Sequence, residues 1–108
     1  MLKKIKQKIK SYIQHDDFVV EQFKEDPKFL KISLERSFAN YIETGDKSYF
    51  LYVLQQAAKS RGVSTVAKES KLSRQYLYEI FSEKSNPTLE NFNLILKSLG
   101  LKLQIKAL

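Results

Sequence analysis

The chain has no cysteine, no tryptophan and a single histidine, His15. Without thiols there is no disulfide scaffold, iron–sulfur cluster, thiolate nucleophile or cysteine-type zinc site. One histidine also excludes a metal site built from two or three histidines of one chain. A Ser-His-Asp arrangement would have to run through His15, which stands among Gln14, Asp16 and Asp17 in a polar segment. With 3 glycines and 2 prolines, turn-forming residues are scarce, which argues against a turn-rich all-β fold. No apolar run approaches the ~20 residues that span a bilayer. The lysine-bearing start lacks the apolar stretch of a signal peptide. The expectation is a soluble, cytoplasmic protein that is not an enzyme, carries no cofactor or metal, and has no membrane partner.

What remains is a foldable chain of 108 residues, 43% hydrophobic and 29% charged, suited to one small domain with an arm. Its formal net charge of +7 is unevenly spread. Residues 1–15 hold five lysines and no acid, whereas residues 16–26 set Lys24 against Asp16, Asp17, Glu21, Glu25 and Asp26. The rest is mildly basic. An excess of positive charge suits an anionic partner.

Hydrophobic spacing then sets out the elements. In residues 2–14, Leu2, Ile5, Ile9, Tyr12 and Ile13 fall within one arc of a helix, with Lys3, Lys4, Lys6, Lys8 and Lys10 opposite. Such a segment docks on the body, binds a partner or dimerises, or lies on a membrane surface; the lack of Trp and Phe on its apolar face speaks against the last. Phe18, Val19 and Phe23 make one or two further turns. Asp26 and Pro27 suit the cap and first position of a helix carrying Leu30, Leu34, Phe38, Tyr41 and Ile42, with Gly45 just past its end. Asp46 is a cap candidate for a helix with Phe50, Val53, Leu54 and Ala57 on one face, ending near Arg61 and Gly62. Thr88 is a cap candidate for a last helix with Leu89, Phe92, Ile95, Leu96 and Leu99, ended by Gly100. From Leu101 to Lys106 the period falls to two, which predicts a short, half-buried β-strand with no evident partner in the chain. The fold class expected is mainly all-α, a compact helical bundle with a helix-turn-helix and this C-terminal strand. Residues 1–25 form a basic amphipathic arm and acidic segment, and residues 26–108 the main domain.

The segment of about 64–82 carries the functional signal. Two short helices, near 65–70 and 74–81, flank a three- or four-residue turn, which is the helix-turn-helix spacing. Val66, Ala67, Leu72, Leu77, Ile80 and Phe81 supply its interior, with small Ala67 allowing a close crossing. In such motifs the first residues of the second helix meet base edges. There Arg74 is matched to guanine O6 and N7, and Gln75 to adenine N6 and N7. Ser64 and Ser73 stand at helix starts, where hydroxyls and free N–H groups suit phosphate oxygens. The candidate DNA-binding set is Ser64, Thr65, Ser73, Arg74, Gln75, Tyr76, Tyr78 and Lys84; the partner is a double-stranded operator. The same spacing also occurs in helical domains that bind no DNA, and Arg74 and Gln75 would then be an ordinary solvated face.

Four pieces of the sequence resemble one family. They are Ala58, Arg61, Gly62, Ser64 and Ala67; Leu72, Ser73, Arg74, Leu77 and Tyr78; Asn86, Pro87 and Thr88; and Leu96, Lys97, Leu99, Gly100, Leu101 and Leu103. Together they are similar to the addiction-module antidote proteins, HigA-like antitoxins of the lambda-repressor-like helix-turn-helix superfamily, and residues 26–49 fit the helix that precedes the motif there. The resemblance covers residues 26–103. It implies an antitoxin that neutralises a co-encoded RelE/HigB-like ribonuclease toxin and represses the shared operon as a homodimer. Leu2, Ile5, Ile9 and Tyr12 of the arm and Leu101, Leu103 and Ile105 of the tail are the expected toxin or dimer contacts. The alternatives are a free-standing prophage or plasmid regulator without a toxin, and a protein-interaction module that binds no DNA. Two features depart from the family: Lys71 stands where the turn usually has glycine, and residues 1–15 are longer and more basic than the usual start.

Overall fold

A computed structural model describes residues 16–107. Among these residues the structure is helical: α1 (16–25), α2 (Pro27–Thr44), α3 (Ser48–Arg61), α4 (Val63–Ser70), α5 (Arg74–Phe81) and α6 (Leu89–Ser98). The arm contacts expected at Leu2, Ile5, Ile9 and Tyr12 lie outside the described residues. No described helix is long and apolar enough to cross a membrane.

The helix ends follow from side chains that compete well for orphan backbone groups. Asp26 accepts hydrogen bonds from the N–H groups of Lys28 and Phe29, and Pro27 opens α2 with the one residue that has no N–H to satisfy. Gly45, at φ 78°, turns the chain left-handed and donates to the Tyr41 carbonyl at 2.8 Å. Asp46 accepts from the Ser48 N–H at 3.0 Å, although Lys47 is the boundary residue of α3. That bond holds the Asp46 carboxyl below its ordinary range. Ser73 and Thr88 cap α5 and α6 through the N–H groups of Tyr76 and Asn91, each at 3.0 Å.

The core gathers on α3. Leu54, Ala57 and Ala58 have no exposed surface, and neither do Val66, Leu77, Ile80 and Ile95 from the helices around them. α3 packs on α2, α4 and α5, while α6 packs on α4. Phe38, Phe50 and Phe92 join α2, α3 and α6, with ring centroids 5.2–6.2 Å apart; each such pair adds about 0.5–1.5 kcal/mol beyond its buried area. The buried hydroxyls of Ser37, Ser70 and Ser98 donate to carbonyls three residues back, so they enter the core without an unmet donor. Phe23 brings α1 onto this core, and the Tyr52 hydroxyl of α3 donates to the Asp16 carboxylate.

One expectation is corrected. Residues 101–107 form no strand, and there is no strand among the described residues. The Leu101 N–H bonds the Leu96 carbonyl at 2.9 Å and its side chain packs on the core. Beyond it no backbone group has a hydrogen-bond partner among the described residues, and Ile105 is 98% exposed. Alternation supplies an apolar edge, but a strand needs a neighbouring edge, and the described residues, all helical or irregular, offer none.

Two measurements follow. Lys71 adopts φ 61°, ψ 27°, the left-handed conformation in which a Cβ is strained. Lys71→Gly is therefore expected to stabilise the fold by roughly 0.5–1 kcal/mol, seen as a higher urea midpoint with an unchanged slope. Burial, and then the bond to the Asp16 carboxylate, push the Tyr52 hydroxyl up to about 12 from its ordinary 10.0. A raised folded value means the contribution is whole below pH about 10 and is lost as pH rises towards 12. Tyr52→Phe should be less stable at neutral pH and should show a shallower stability loss across that alkaline window.

Candidate nucleic-acid interface

The motif begins one residue after α3 ends. Gly62 alone separates α3 from α4, at φ 99° and ψ 115°, a conformation that side-chain-bearing residues avoid. Its N–H caps α3 on the Ala58 and Lys59 carbonyls, and its carbonyl accepts from Val66 to start α4. This one-residue elbow lets α4 begin at Val63, two residues before the start that the periodicity suggests. Arg61 and Glu69 brace it with an ion pair at 2.8 Å, so Arg61 is a structural residue of the bend.

Three residues, Lys71, Leu72 and Ser73, then join α4 to α5. The N–H groups of Lys71 and Leu72 both turn back to the Ala67 carbonyl. Half-buried Ala67 and Leu72 close the inside of the turn, while Val66, Leu77 and Ile80 lock the two helices to α3. Both helices have 8 residues, too few to persist alone; packing holds them.

That packing fixes what α5 presents. Arg74 and Gln75, its first two residues, are exposed, and Arg74 has no salt-bridge partner among the described residues. Ser64 and Thr65 are exposed in the first turn of α4, whose start has no side-chain cap; its leading N–H groups are left for another acceptor. Lys84 is exposed on the loop after α5. The other expected contacts divide. Ser73 already spends its oxygen on the Tyr76 N–H. Tyr76 is half-buried and its hydroxyl accepts from the Asn91 side-chain amide at 3.2 Å, which ties α5 to α6. Tyr78 is 38% exposed, with its ring edge-on to Phe81 at 6.2 Å.

Glu79 is the residue that sequence reasoning missed. It accepts from Gln75 Nε2 at 3.3 Å and from the Ser85 hydroxyl at 3.2 Å. Its carbonyl takes the N–H groups of Lys84 and Ser85. Glu79 thus orients the Gln75 amide and folds the following loop at once. The i, i+4 spacing of Gln75 and Glu79 was the available signal. That loop is also held from the start of α3 and the residue before it: Lys47 donates to Asn86 at 2.6 Å and Ser48 to Glu83 at 3.5 Å.

The described residues contain no group of three or more His, Cys, Asp or Glu placed to hold a metal. The arrangement can offer cations, hydroxyls, amides and open helix N–H groups to an anionic, hydrogen-bonding surface. No curated protein and no solved structure was found to match the chain. Over residues 30–107, from within α2 through the tail, it matches the family model described as "Probable addiction module antidote protein". With most of its length inside that model, the chain belongs to the family of probable addiction module antidote proteins.

Proposed function

We propose that this antidote protein is a DNA-binding antitoxin, which represses its own operon and neutralises a co-encoded RelE/HigB-like ribonuclease toxin in the cytoplasm. The observation that carries the DNA half is the start of α5: an Arg74 with no ion-pair partner among the described residues, beside a Gln75 whose amide is oriented by Glu79, on a helix locked to the core. A guanidinium fork matches guanine O6 and N7. Gln75 Nε2 has two hydrogens, so one can stay on Glu79 while the other and Oε1 read an adenine. Ser64, Thr65 and Lys84 are the phosphate-facing set, with Tyr78 at the edge of the contact. Tyr76 and Ser73 support α5 through their own hydrogen bonds and act through its placement.

The toxin half rests on the family and on the segregated apolar stripe of residues 2–13. We assign toxin contact to Leu2, Ile5, Ile9 and Tyr12, leaving the helix-turn-helix face for DNA. The two activities are then separable.

Two variants test this. Arg74→Ala should lose about 1–3 kcal/mol of binding to the upstream DNA of its own gene, with a smaller loss on unrelated DNA, measured by fluorescence anisotropy. It should still rescue cells from the toxin. Removing residues 1–14 should do the reverse, abolishing rescue while keeping specific DNA affinity. If the lysines of the arm instead touch phosphates, that truncation would flatten the salt dependence by about 0.9 per lost contact. An Arg74→Ala variant with unchanged affinity and sequence preference would remove α5 from the groove.

A further inference from the structure

A cleft of about 1260 Å³ opens between the C-terminal half of α2, the start of α3 and the start of α6. Phe38, Phe50 and Phe92 line it. So do Ile42 of α2 and Leu89 of α6, which are 67% and 76% exposed. Single exposed apolar residues are ordinary, but their gathering at one cleft marks an interaction surface. The volume exceeds the roughly 300–1,000 Å³ of small-molecule pockets, so the occupant it suits is a stretch of polypeptide.

The placement of α1 shows which stretch is nearest. At its start, the Asp16 carboxylate accepts from the Tyr52 hydroxyl of α3. At its other end, Phe23 and Lys24 line one small pocket with Ser60 and Arg61. Asp16 and Lys24 are eight residues apart, and so are Tyr52 and Ser60. Over this length, about 12 Å, α1 and α3 therefore run side by side in the same direction. Followed back from Asp16, the chain heads towards the start of α3, where Phe50 and Leu51 line the cleft. Ile13 is three residues before Asp16, which puts it within about 10 Å of that exit point.

We propose that the apolar stripe of residues 2–13 docks as a helix in the cleft of its own chain. Leu2, Ile5, Ile9, Tyr12 and Ile13 are spaced as the anchors of a helix laid in a groove. Charge fits as well. Lys3, Lys4, Lys6, Lys8 and Lys10 stand off the stripe. Glu43 follows Ile42, Glu90 follows Leu89 and lines the cleft, and neither has an ion pair among the described residues. Lys47, which also lines the cleft, is held to Asn86. Tethering favours this occupant over any other, because a short link gives an effective concentration in the millimolar range. In the proposed function the same stripe meets the toxin, so toxin binding has to draw it out of the cleft. That consequence rests on the toxin assignment; the docking itself does not, and its test contains neither toxin nor DNA.

The test uses the full chain. Ile5→Glu combined with Ile9→Glu changes no described residue. In two-dimensional NMR it should shift the amide signals of Ile42, Leu89 and Phe92 and leave those of Lys68 and Arg74 in place. Because the chain has no cysteine, pairs of thiols can be introduced cleanly. Ile9→Cys with Leu89→Cys or with Ile42→Cys should, in at least one of the two, close a disulfide within a single copy under mild oxidation. Ile9→Cys with Lys68→Cys on α4 should not. Cleft signals that ignore the Ile5→Glu and Ile9→Glu changes overturn the proposal. So does a disulfide that joins two copies in place of one, or closure at Lys68→Cys equal to that at the cleft.

Discussion

Helices α2, α4 and α5 close on α3, where Leu54, Ala57 and Ala58 have no exposed surface. Two alanines in succession leave room for neighbouring helices to approach closely, and Leu77 and Ile80 of α5 belong to the same buried core. Interiors of this density transmit displacement rather than absorb it. A larger side chain at Ala57 or Ala58 would therefore act at a distance, shifting α4 or α5 and with them Arg74 and Gln75. The helices of the motif gain most of their stability from this contact, since 8-residue helices have little of their own. Gly62 serves the same end: it places α4 against α3 with one residue of connection, at a φ that no other residue adopts cheaply.

Much of this arrangement could be read from residues whose roles are local. Asp26, Ser73 and Thr88 cap helices because their side chains reach N–H groups two or three residues on, and Gly45 ends α2 because it tolerates a left-handed φ. The interior of the motif was equally legible, because Val66, Leu77 and Ile80 recur at helical spacing and need burial. Lys71 is the instructive case. The departure from glycine did not change the turn; the lysine takes the left-handed conformation, and the cost of about 1 kcal/mol is carried by the packing around it.

What sequence left hidden depends on contacts between distant residues. Tyr52 and Asp16 are 36 positions apart and no periodicity pairs them. The bonds from Lys47 to Asn86 and from Ser48 to Glu83, which hold the loop after α5, span 39 and 35 positions. The tail failed for a different reason: its period of two is real, but a strand is a property of a pair of segments, and no second strand stands beside it among the described residues. In the candidate site, Arg74, Gln75, Ser64 and Thr65 were chosen by position in the motif, and they and Lys84 are all exposed. Tyr76 was grouped with them by adjacency, yet its hydroxyl meets Asn91, a residue on another helix.

In the proposed function, membership of the antidote family goes with a base-reading α5. Methylation interference on the DNA upstream of the gene addresses it directly, because a methyl group on guanine N7 blocks the major-groove edge that Arg74 is assigned to read. Interfering guanines are expected in two symmetric half-sites whose centres lie about 34–36 Å apart along the duplex. Protection that is indifferent to guanine N7 methylation, or equal binding to scrambled DNA, would contradict it.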